Sequence, residues 1–291
     1  MFSLLISALV RGVWAIEPIY AEAYKPIVRN LIAGNMPALQ AAIAATQEGT
    51  NVSGKQMYAV AHDKHYMRSA YSIEQAPKGA VAVLPITGPI MKYDYCGSTG
   101  TKTMAEMVRQ INQAPNIAGL VVNIDSGGGE AYATKELSDE IRNLKKPAIT
   151  LVDGFACSAA YWIGSATSEV VLSSAADVVG SIGTYVTLLD DKEFYESKGI
   201  KIHEIYASKS NNKNATHREA LQGNYDPIIQ EMIDPVNELF LQAVSKHRAA
   251  STLADDALSG KTYMGKKAIK AGLADTIAGM DYCIQKIKKL A

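Results

Sequence analysis

The sequence predicts an α/β protein built on a parallel sheet, and three observations support this. Apolar runs alternate with stretches of helical period from residue 78 to about residue 186. Their spacing is that of βαβ units, in which a helix connects two parallel strands by a right-handed crossover. Two clusters of glycine and serine, DSGGG and the segment after AITLVDG, follow directly after apolar runs. Functional groups gather at such strand ends in a parallel sheet.

The individual elements follow one another at short intervals. The predicted strands, in chain order, are GAVAVLPITGPI, GLVVNIDSGGG, AITLVDG and SEVVLSS. The predicted helices between them are TKTMAEMVRQINQA, EAYATKELSDEIRNLKK and ACSAAYWIGSA. GSIGTYV is a glycine-bearing turn or strand. Beyond Thr216 the chain is predicted to be helical with interruptions near Pro227 and Pro235, and TYMGKKAIKAGLAD predicts a last helix that ends at Gly272.

Residues 1–77 differ from the rest and predict a helical N-terminal extension ahead of a second unit at 78–291. AEAYKPIVRNLIAGNMPALQAAIAA is helical in character, and EGTNVSGKQ is a turn-rich break with GTNVSGK as an exposed site for cleavage. A signal peptide is disfavoured because no Lys or Arg precedes the first apolar run. Arg11 ends that run after about nine residues, too few to span a bilayer. We expect a helix that docks on the rest of the protein.

Composition excludes several classes of function. Lys and Arg total 29 and so do Asp and Glu, so no global field attracts nucleic acid or an anionic membrane. Three widely separated cysteines exclude a disulfide framework and a CxxC metal site, and they fit a reducing, cytoplasmic compartment. His62 and His65 lie three residues apart without a third ligand at a matching spacing, which favours a solvated pair over a metal site. We expect no metal and no cofactor.

Ser158 stands where a predicted strand gives way to a predicted helix, with alanines on both sides. At a first helical turn, backbone N–H groups and the helix dipole could hold the oxyanion that forms when Oγ attacks a carbonyl. The glycines at 127–129 would let a second backbone segment approach and donate another N–H. Alternatively, Ser158 only caps or packs the helix and the glycines only turn the chain. These residues alone favour neither interpretation.

A nucleophilic serine needs a base, and the sequence limits the choice. The esterase pattern G-x-S-x-G is not met, because alanines stand at 156 and 160. Three histidines follow Ser158, namely His203, His217 and His247, but no local feature marks one as the base of a triad. A lysine can serve instead where burial lowers its pKa far enough to accept the serine proton.

Four motifs in order resemble those of the signal peptide peptidase A (protease IV) family. They are IDSGGG, DGFACSAAYW, GSIGTY and a lysine-bearing loop, and the resemblance covers about residues 78–280. More narrowly, the chain is similar to the phage members, the head-maturation or prohead proteases. The resemblance implies a ClpP/crotonase-like fold and a Ser/Lys dyad without histidine. It also implies a homo-oligomer in which a neighbouring subunit can supply the base.

The resemblance also implies a role for each matching residue. Ser158 matches the nucleophile, and the N–H of Ala159 would form the oxyanion hole together with that of Gly128 or Gly129. The residues that would contact substrate are Gly127, Gly180, Ser181, Ile182 and Gly183.

The sequence departs from the family pattern at three places. Serine-alanine-alanine, starting at Ser158, replaces serine-glycine-glycine, and Gly127 stands where proline is usual. The usual glycine-tyrosine-lysine stretch is replaced by EIYASKSNNKNATHREA, which holds two lysines. The resemblance favours Lys213 as the base, because it immediately precedes the polar stretch that leads into the long helix, as the base does in the family, and Lys209 is the second candidate.

The resemblance, together with these residues, predicts a serine endopeptidase of phage origin. It would act on capsid scaffold and on its own N-terminal segment, in the host cytoplasm or the prohead. A cellular signal-peptide-peptidase-like protease would differ in having a membrane anchor. A crotonase-type acyl-CoA enzyme would need carboxylates that face a thioester, and Asp125 and Glu130 flank the glycines. A catalytically silent scaffold would account for the alanines after Ser158.

Overall fold

The computed structural model describes residues 14–16, 58–60, 73–94, 98–188, 190 and 192–291. The strands of these residues are β1 (Trp14–Ile16), β2 (Tyr58–Val60), β3 (Ala80–Thr87), β4 (Ile117–Ser126), β5 (Gly128–Glu130), β6 (Ala148–Cys157), β7 (Val170–Leu172), β8 (Val178–Gly180), β9 (Thr262–Met264) and β10 (Thr276–Ile277). The α-helices are α1 (Thr101–Gln113), α2 (Thr134–Arg142), α3 (Ala159–Gly164), α4 (Lys192–Ser197), α5 (Ala215–Leu221), α6 (Asp226–Ile228), α7 (Asp234–His247), α8 (Lys266–Lys270) and α9 (Met280–Leu290).

Eight of the described strands form one sheet, with the main order β10-β7-β6-β4-β3-β2. The pairs from β3 through β4, β6 and β7 to β10 are all parallel, while β2 is antiparallel to β3. The connections β3-α1-β4 and β4-α2-β6 are the predicted βαβ units, so the predicted parallel α/β sheet is confirmed.

The core lies on both faces of this sheet, which explains why the strands are apolar almost without interruption. In β3, Ala82, Leu84 and Ile86 point into the larger cluster, where side chains of α1, α2 and α3 pack. Val81 and Val83 point to the opposite face, where α9 covers them with a small group of buried residues, Cys283, Ile284 and Ile287. Residue alternation along the strand thus assigns each side chain to a layer.

Strand β6 bends in the middle and thereby positions Ser158. Its residues 150–152 pair with β7, whereas residues 155–157 pair with β8. Gly154 lies at the bend with φ 120°, and a Cβ there would be 2.7 Å from Oδ1 of Asp125. That oxygen accepts a hydrogen bond from the N–H of Phe155 at 3.2 Å. The predicted end of the strand at AITLVDG was therefore wrong: the bend turns β6 toward β8, and the strand continues to Cys157.

Residues 215–247 are largely helical, and the breaks between their helices confirm the interruptions predicted near Pro227 and Pro235. Pro227 and Pro235 lie in the first turns of α6 and α7. Backbone N–H groups in a first helical turn make no intrahelical hydrogen bond, so proline, which lacks this group, is tolerated there. A π-helical turn, Ile229–Ile233, joins those two helices. The first residues of TYMGKKAIKAGLAD form β9 instead of the predicted helix. The helix α8 that follows ends at Lys270, and Gly272 with φ 76° stops it as predicted.

Within residues 1–77, the described parts include two short strands, β1 and β2. The predicted helical stretches, Arg11, the GTNVSGK segment, His62 and His65 all lie outside the described residues. In the described part of the chain, no group of His, Cys, Asp and Glu could hold a metal ion. None of the helices in that part is long and apolar enough to cross a membrane.

His247 predicts a pH dependence of stability. Its half-buried ring lies at the end of α7, with Nδ1 3.1 Å from Oγ of Ser165. Burial lowers the pKa of His247 to about 4. The positive charges of Arg142 and Lys246 contribute to this shift, and the negative charge of Asp139 partly opposes it. The unfolded chain, with an ordinary pKa near 6.5, then binds more protons than the folded protein between these values. Stability is therefore complete above pH 6.5 and falls as the pH drops toward 4.

We expect a loss of about 1–2 kcal/mol between about pH 7 and pH 4.5, after allowing for solvent screening of the partly exposed ring. Urea unfolding of the wild type and of His247→Gln at both pH values measures it. The variant should lose less stability on acidification, and parallel losses in the two proteins would contradict the assignment to His247.

Candidate active site

Ser158 is held rigidly between β6 and α3. Its N–H donates to the carbonyl of Gly180 at 2.8 Å, and its own carbonyl accepts the N–H of Trp162 at 2.9 Å, the first bond of the helix. All residues of α3 are buried, and the Trp162 ring stacks on Phe240 with 4.8 Å between centroids. The position of the serine is therefore fixed by the core on one side and by β8 on the other.

The side chain of Ser158 does not cap the helix that follows it. Its Oγ donates instead to the carbonyl of Gly183 at 3.4 Å. The backbone has φ 55° and ψ −121°, and at the start of α8 nearly the same conformation, φ 51° and ψ −125°, is taken by Gly265. For a residue with a Cβ such a conformation costs about 1–3 kcal/mol. The strained backbone at Ser158 is not explained by helix capping, and this favours a functional role for its hydroxyl.

The glycine cluster follows β4, directly beside the end of β6. Ser126 pairs in register with Ala156, two residues before Ser158, so both predicted functional segments lie at the carboxyl ends of neighbouring parallel strands. Gly128 has φ 106°, a conformation that glycine adopts without strain. The helix α3 packs against β5, which brings the cluster to the serine.

Ser126 is a residue that sequence reasoning missed. Its buried Oγ donates to the carbonyl of Gly88 at 2.5 Å and accepts the N–H of Gly128 at 3.1 Å. The hydroxyl thus links the glycine cluster to the turn after β3 and orients the peptide group of Gly128. Its position inside IDSGGG was the available signal, since a buried hydroxyl next to glycines needs a partner.

Gly129 lies against the backbone of Ile90. A Cβ at this position would be 2.1 Å from the Ile90 carbonyl oxygen. The N–H of Ile90 donates to Gly128 at 2.9 Å, and the N–H of Glu130 donates to Ile90 at 2.8 Å. Because backbone groups alternate along an extended strand, the N–H and C=O of Gly129 face the opposite side. On that side β1 runs antiparallel to β5, with Ala15 opposite Gly129.

The predicted segment at 180–183 lies beside Ser158. Gly180 has φ 115°, and a Cβ there would be 2.5 Å from the Lys261 carbonyl oxygen. Ser181, also at positive φ, donates its N–H to the same carbonyl at 2.9 Å. Ile182 is buried, and the carbonyl of Gly183 accepts the hydrogen bond from the Ser158 hydroxyl. The structure therefore brings Ser158, Ala159, the glycine cluster and residues 180–183 together.

Neither candidate lysine is among the described contacts of Ser158. Lys209 and Lys213 are exposed, and the backbone of Lys213 donates to Ser210 at 3.0 Å while its carbonyl accepts from Arg218 at 2.7 Å. The stretch from residue 192 to residue 214, which we call the arm, also exposes large apolar side chains. They are Phe194, Ile200, Ile202 and Ile205, the last 92% exposed.

Three of the other titratable candidates, His247, Asp125 and Glu130, have structural partners away from the Ser158 hydroxyl. His247 contacts Ser165, at the opposite end of α3 from Ser158. Asp125 accepts the N–H of Phe155, and the buried Glu130 accepts the N–H of Lys92 at 3.1 Å. Both carboxylates that flank the glycines therefore bind backbone N–H groups, and this disfavours the thioester-facing role that an acyl-CoA enzyme needs.

The sequence profile of Peptidase family S49 matches residues 140–291, just over half of the chain. The chain belongs to peptidase family S49. The Clp protease profile matches residues 93–176, and together with the parallel sheet of βαβ units this confirms the predicted ClpP-like fold.

Relatives with known names include both cellular and phage proteins, as the predicted family resemblance requires. Protease 4 of Haemophilus influenzae is 27% identical over 72% of this chain and 34% of its own length. The head-tail preconnector protein GP5 of Enterobacteria phage P21 is 28% identical over 68% of this chain and 40% of its own. The capsid assembly protease C of Escherichia phage lambda is 27% identical over 68% of this chain and 46% of its own length. The chain thus spans less than half the length of these three relatives.

Proposed function

We propose that the chain is a serine endopeptidase with Ser158 as nucleophile and a lysine as base. The observation that carries this proposal is the serine itself. Ser158 has a strained backbone conformation at the junction of a strand and a helix, and its hydroxyl does not cap that helix. Membership of a peptidase family supports the same assignment.

In the proposed mechanism, a neutral lysine takes the Ser158 proton while Oγ attacks the peptide carbonyl. The N–H of Ala159 and that of Gly128 or Gly129 stabilise the oxyanion. The lysine then gives the proton to the leaving amine, and water hydrolyses the acyl-enzyme with the lysine again as base. Gly128 donates its N–H to Ser126 at 3.1 Å, so its use in the oxyanion hole requires that bond to open.

Lys213 is the proposed base and Lys209 the second candidate, and both belong to the arm. A lysine acts as a base only where burial lowers its pKa, whereas both of these side chains are exposed in the single chain. The arm also leaves Ile202 and Ile205 in solvent. Docking of the arm on a second copy of the chain would bury these side chains and carry a lysine to an active site. We therefore propose a homo-oligomer as the active form.

The proposed substrates are proteins of the phage head. Support comes from the relatives named as a capsid assembly protease and a head-tail preconnector protein. We propose cleavage of capsid scaffold and of the chain's own N-terminal segment, in the host cytoplasm or the prohead. Because a relative is named Protease 4, a cellular protease of the signal-peptide-peptidase type is the second candidate. Recovery of the protein with membranes rather than with phage proheads would favour that candidate.

Co-expression with the candidate capsid scaffold tests the proposal. Processing should be lost in Ser158→Ala and in one of Lys213→Ala and Lys209→Ala, by about 10³-fold or more. Lys201→Ala, an exposed lysine in the same arm, should process as the wild type does. Processing that survives in Ser158→Ala would overturn the assignment of the nucleophile.

A mixing experiment tests whether the base comes from a second copy. Ser158→Ala and the inactive lysine variant are each inert, but in mixed oligomers an intact serine meets an intact lysine of its neighbour. Random mixing in equal amounts should restore about a quarter of wild-type activity. No recovery from subunits shown to exchange would place both residues in one chain.

A further inference from the structure

We propose that Trp14–Ile16 occupies the substrate-binding edge of the active site, so that the intact chain holds its own site closed. This inference rests on the proposed peptidase function. It begins with the pairing of β1 on β5, in which Trp14 lies opposite Glu130, Ala15 opposite Gly129 and Ile16 opposite Gly128. An N-terminal segment thus lies on the same glycines that are proposed to hold the oxyanion.

The two edges of β5 are both in use. The backbone of Ile90 pairs with one edge of β5 through hydrogen bonds with Gly128 and Glu130. The other edge presents the N–H and C=O of Gly129, and β1 lies there. An extended peptide that adds to β5 as a further strand therefore has to use the edge that β1 fills. Strand addition of this kind supplies main-chain hydrogen bonds independently of the substrate's sequence.

This edge adjoins the nucleophile. The helix α3, which begins directly after Ser158, packs against β5. A peptide paired with Gly129 would therefore pass along the glycine cluster beside the serine. The structure has the features of a closed site: Ser158 is 1% exposed, and Ile16 at the end of β1 is 6% exposed. Substrate has to displace β1 before its carbonyl meets Oγ.

The closure is expected to be moderate and reversible. A pairing of three residues is weak by itself, but because β1 belongs to the same chain its effective concentration is about millimolar. A substrate peptide has to compete with that concentration. We therefore expect β1 to lower the rate at low substrate concentration by about tenfold, mainly through an increased apparent KM.

Proline at position 15 tests the proposal, with valine at the same position as the matched control. Ala15→Pro removes the N–H that faces Gly129, whereas Ala15→Val keeps it and favours the extended conformation. With an unstructured fluorogenic peptide mixture as substrate, Ala15→Pro should increase the rate at low concentration about tenfold. Ala15→Val should be no faster than the wild type. A synthetic peptide of residues 11–20 should then inhibit the proline variant competitively.

Hydrogen exchange at the Gly129 amide gives a readout without activity. The amide should be protected in the wild type and in Ala15→Val, and it should exchange at least tenfold faster in Ala15→Pro. Unprotected exchange in the folded wild type would overturn the inference, as would measurable peptide hydrolysis at the same rate by all three proteins. If the peptidase function itself were wrong, none of the three would hydrolyse peptides, while the exchange pattern would still report the pairing of β1.

Discussion

Replacing Ser158 with glycine is expected to abolish peptide hydrolysis and to stabilise the fold at the same time. The loss of activity, about 10³-fold or more, follows from removal of the proposed nucleophile. The gain in stability follows from the backbone, because φ 55° and ψ −121° are unfavourable for a residue with a Cβ and accessible to glycine. Strain of about 1–3 kcal/mol is relieved, and the greater freedom of glycine in the unfolded chain offsets about 0.4–1 kcal/mol of it.

The alanine variant separates the two effects. Ser158→Ala also lacks the hydroxyl but keeps the Cβ and hence the strain, so it should be equally inactive without the same gain in stability. Thermal unfolding should place the melting temperature of Ser158→Gly about 2 °C or more above that of Ser158→Ala. Hydrolysis of the candidate capsid scaffold is measured on the same preparations.

Two outcomes would contradict this prediction. Equal melting temperatures for the glycine and alanine variants would show that the conformation at residue 158 is not strained. Backbone strain would then no longer support a functional role for Ser158. Hydrolysis by both variants at the wild-type rate would show instead that another group attacks the substrate. Gly265, which takes nearly the same conformation before α8, is the internal example of what the backbone alone favours at such a junction.

Much of the fold could be predicted because the signals are local and repeated. Each βαβ unit has its own apolar run and its own amphipathic helix, and the parallel sheet follows from their alternation. The end of β6 was missed for a physical reason. Asp153 and Gly154 have the composition of a turn, but Gly154 allows a bend beside Asp125 and the strand continues. A bend and an end look the same in sequence.

The site could be predicted only in part. Ser158 and the glycines are marked by small residues at strand ends, which is a local signal. The pairing of β1 with β5 carries no such signal, since three residues show no clear alternation and the partner lies more than a hundred residues away. The bond from Ser126 to Gly88 depends likewise on tertiary contact. The lysine is hardest to assign, because Lys209 and Lys213 are both exposed in the arm and no contact within the single chain distinguishes them as a base.

Replacing Gly129 with alanine is the second change for which we expect a large effect. The new Cβ would lie 2.1 Å from the carbonyl oxygen of Ile90, a contact with backbone that no rotamer change relieves. Strand β5 must therefore move away from Ile90, and the hydrogen bonds of Ile90 with Gly128 and Glu130 lengthen or break. Two weakened bonds predict a loss of about 1–3 kcal/mol in stability.

The effect of Gly129→Ala on catalysis should exceed its effect on stability. Displacement of β5 moves the N–H groups proposed for the oxyanion hole, and loss of one such donor costs about 10²–10³-fold in kcat. Gly279→Ala is the control, because Gly279 has φ −88° and open space where its Cβ would stand. Gly279 is the N-cap of α9, and the poorer capping by alanine is offset by its lower entropy in the unfolded chain, so that variant should remain within about 1 kcal/mol of the wild type in stability and retain its activity.

The division between kcat and KM identifies which role of β5 is lost in Gly129→Ala. Measured at a temperature where the protein is fully folded, a fall mainly in kcat indicates misplaced oxyanion donors, since these act on the transition state. An increase mainly in KM indicates instead that β5 no longer pairs with the extended substrate. Unchanged kcat and KM in a destabilised but folded variant would show that the glycine serves only the packing against Ile90, and the oxyanion hole would then have to be sought elsewhere around Ser158.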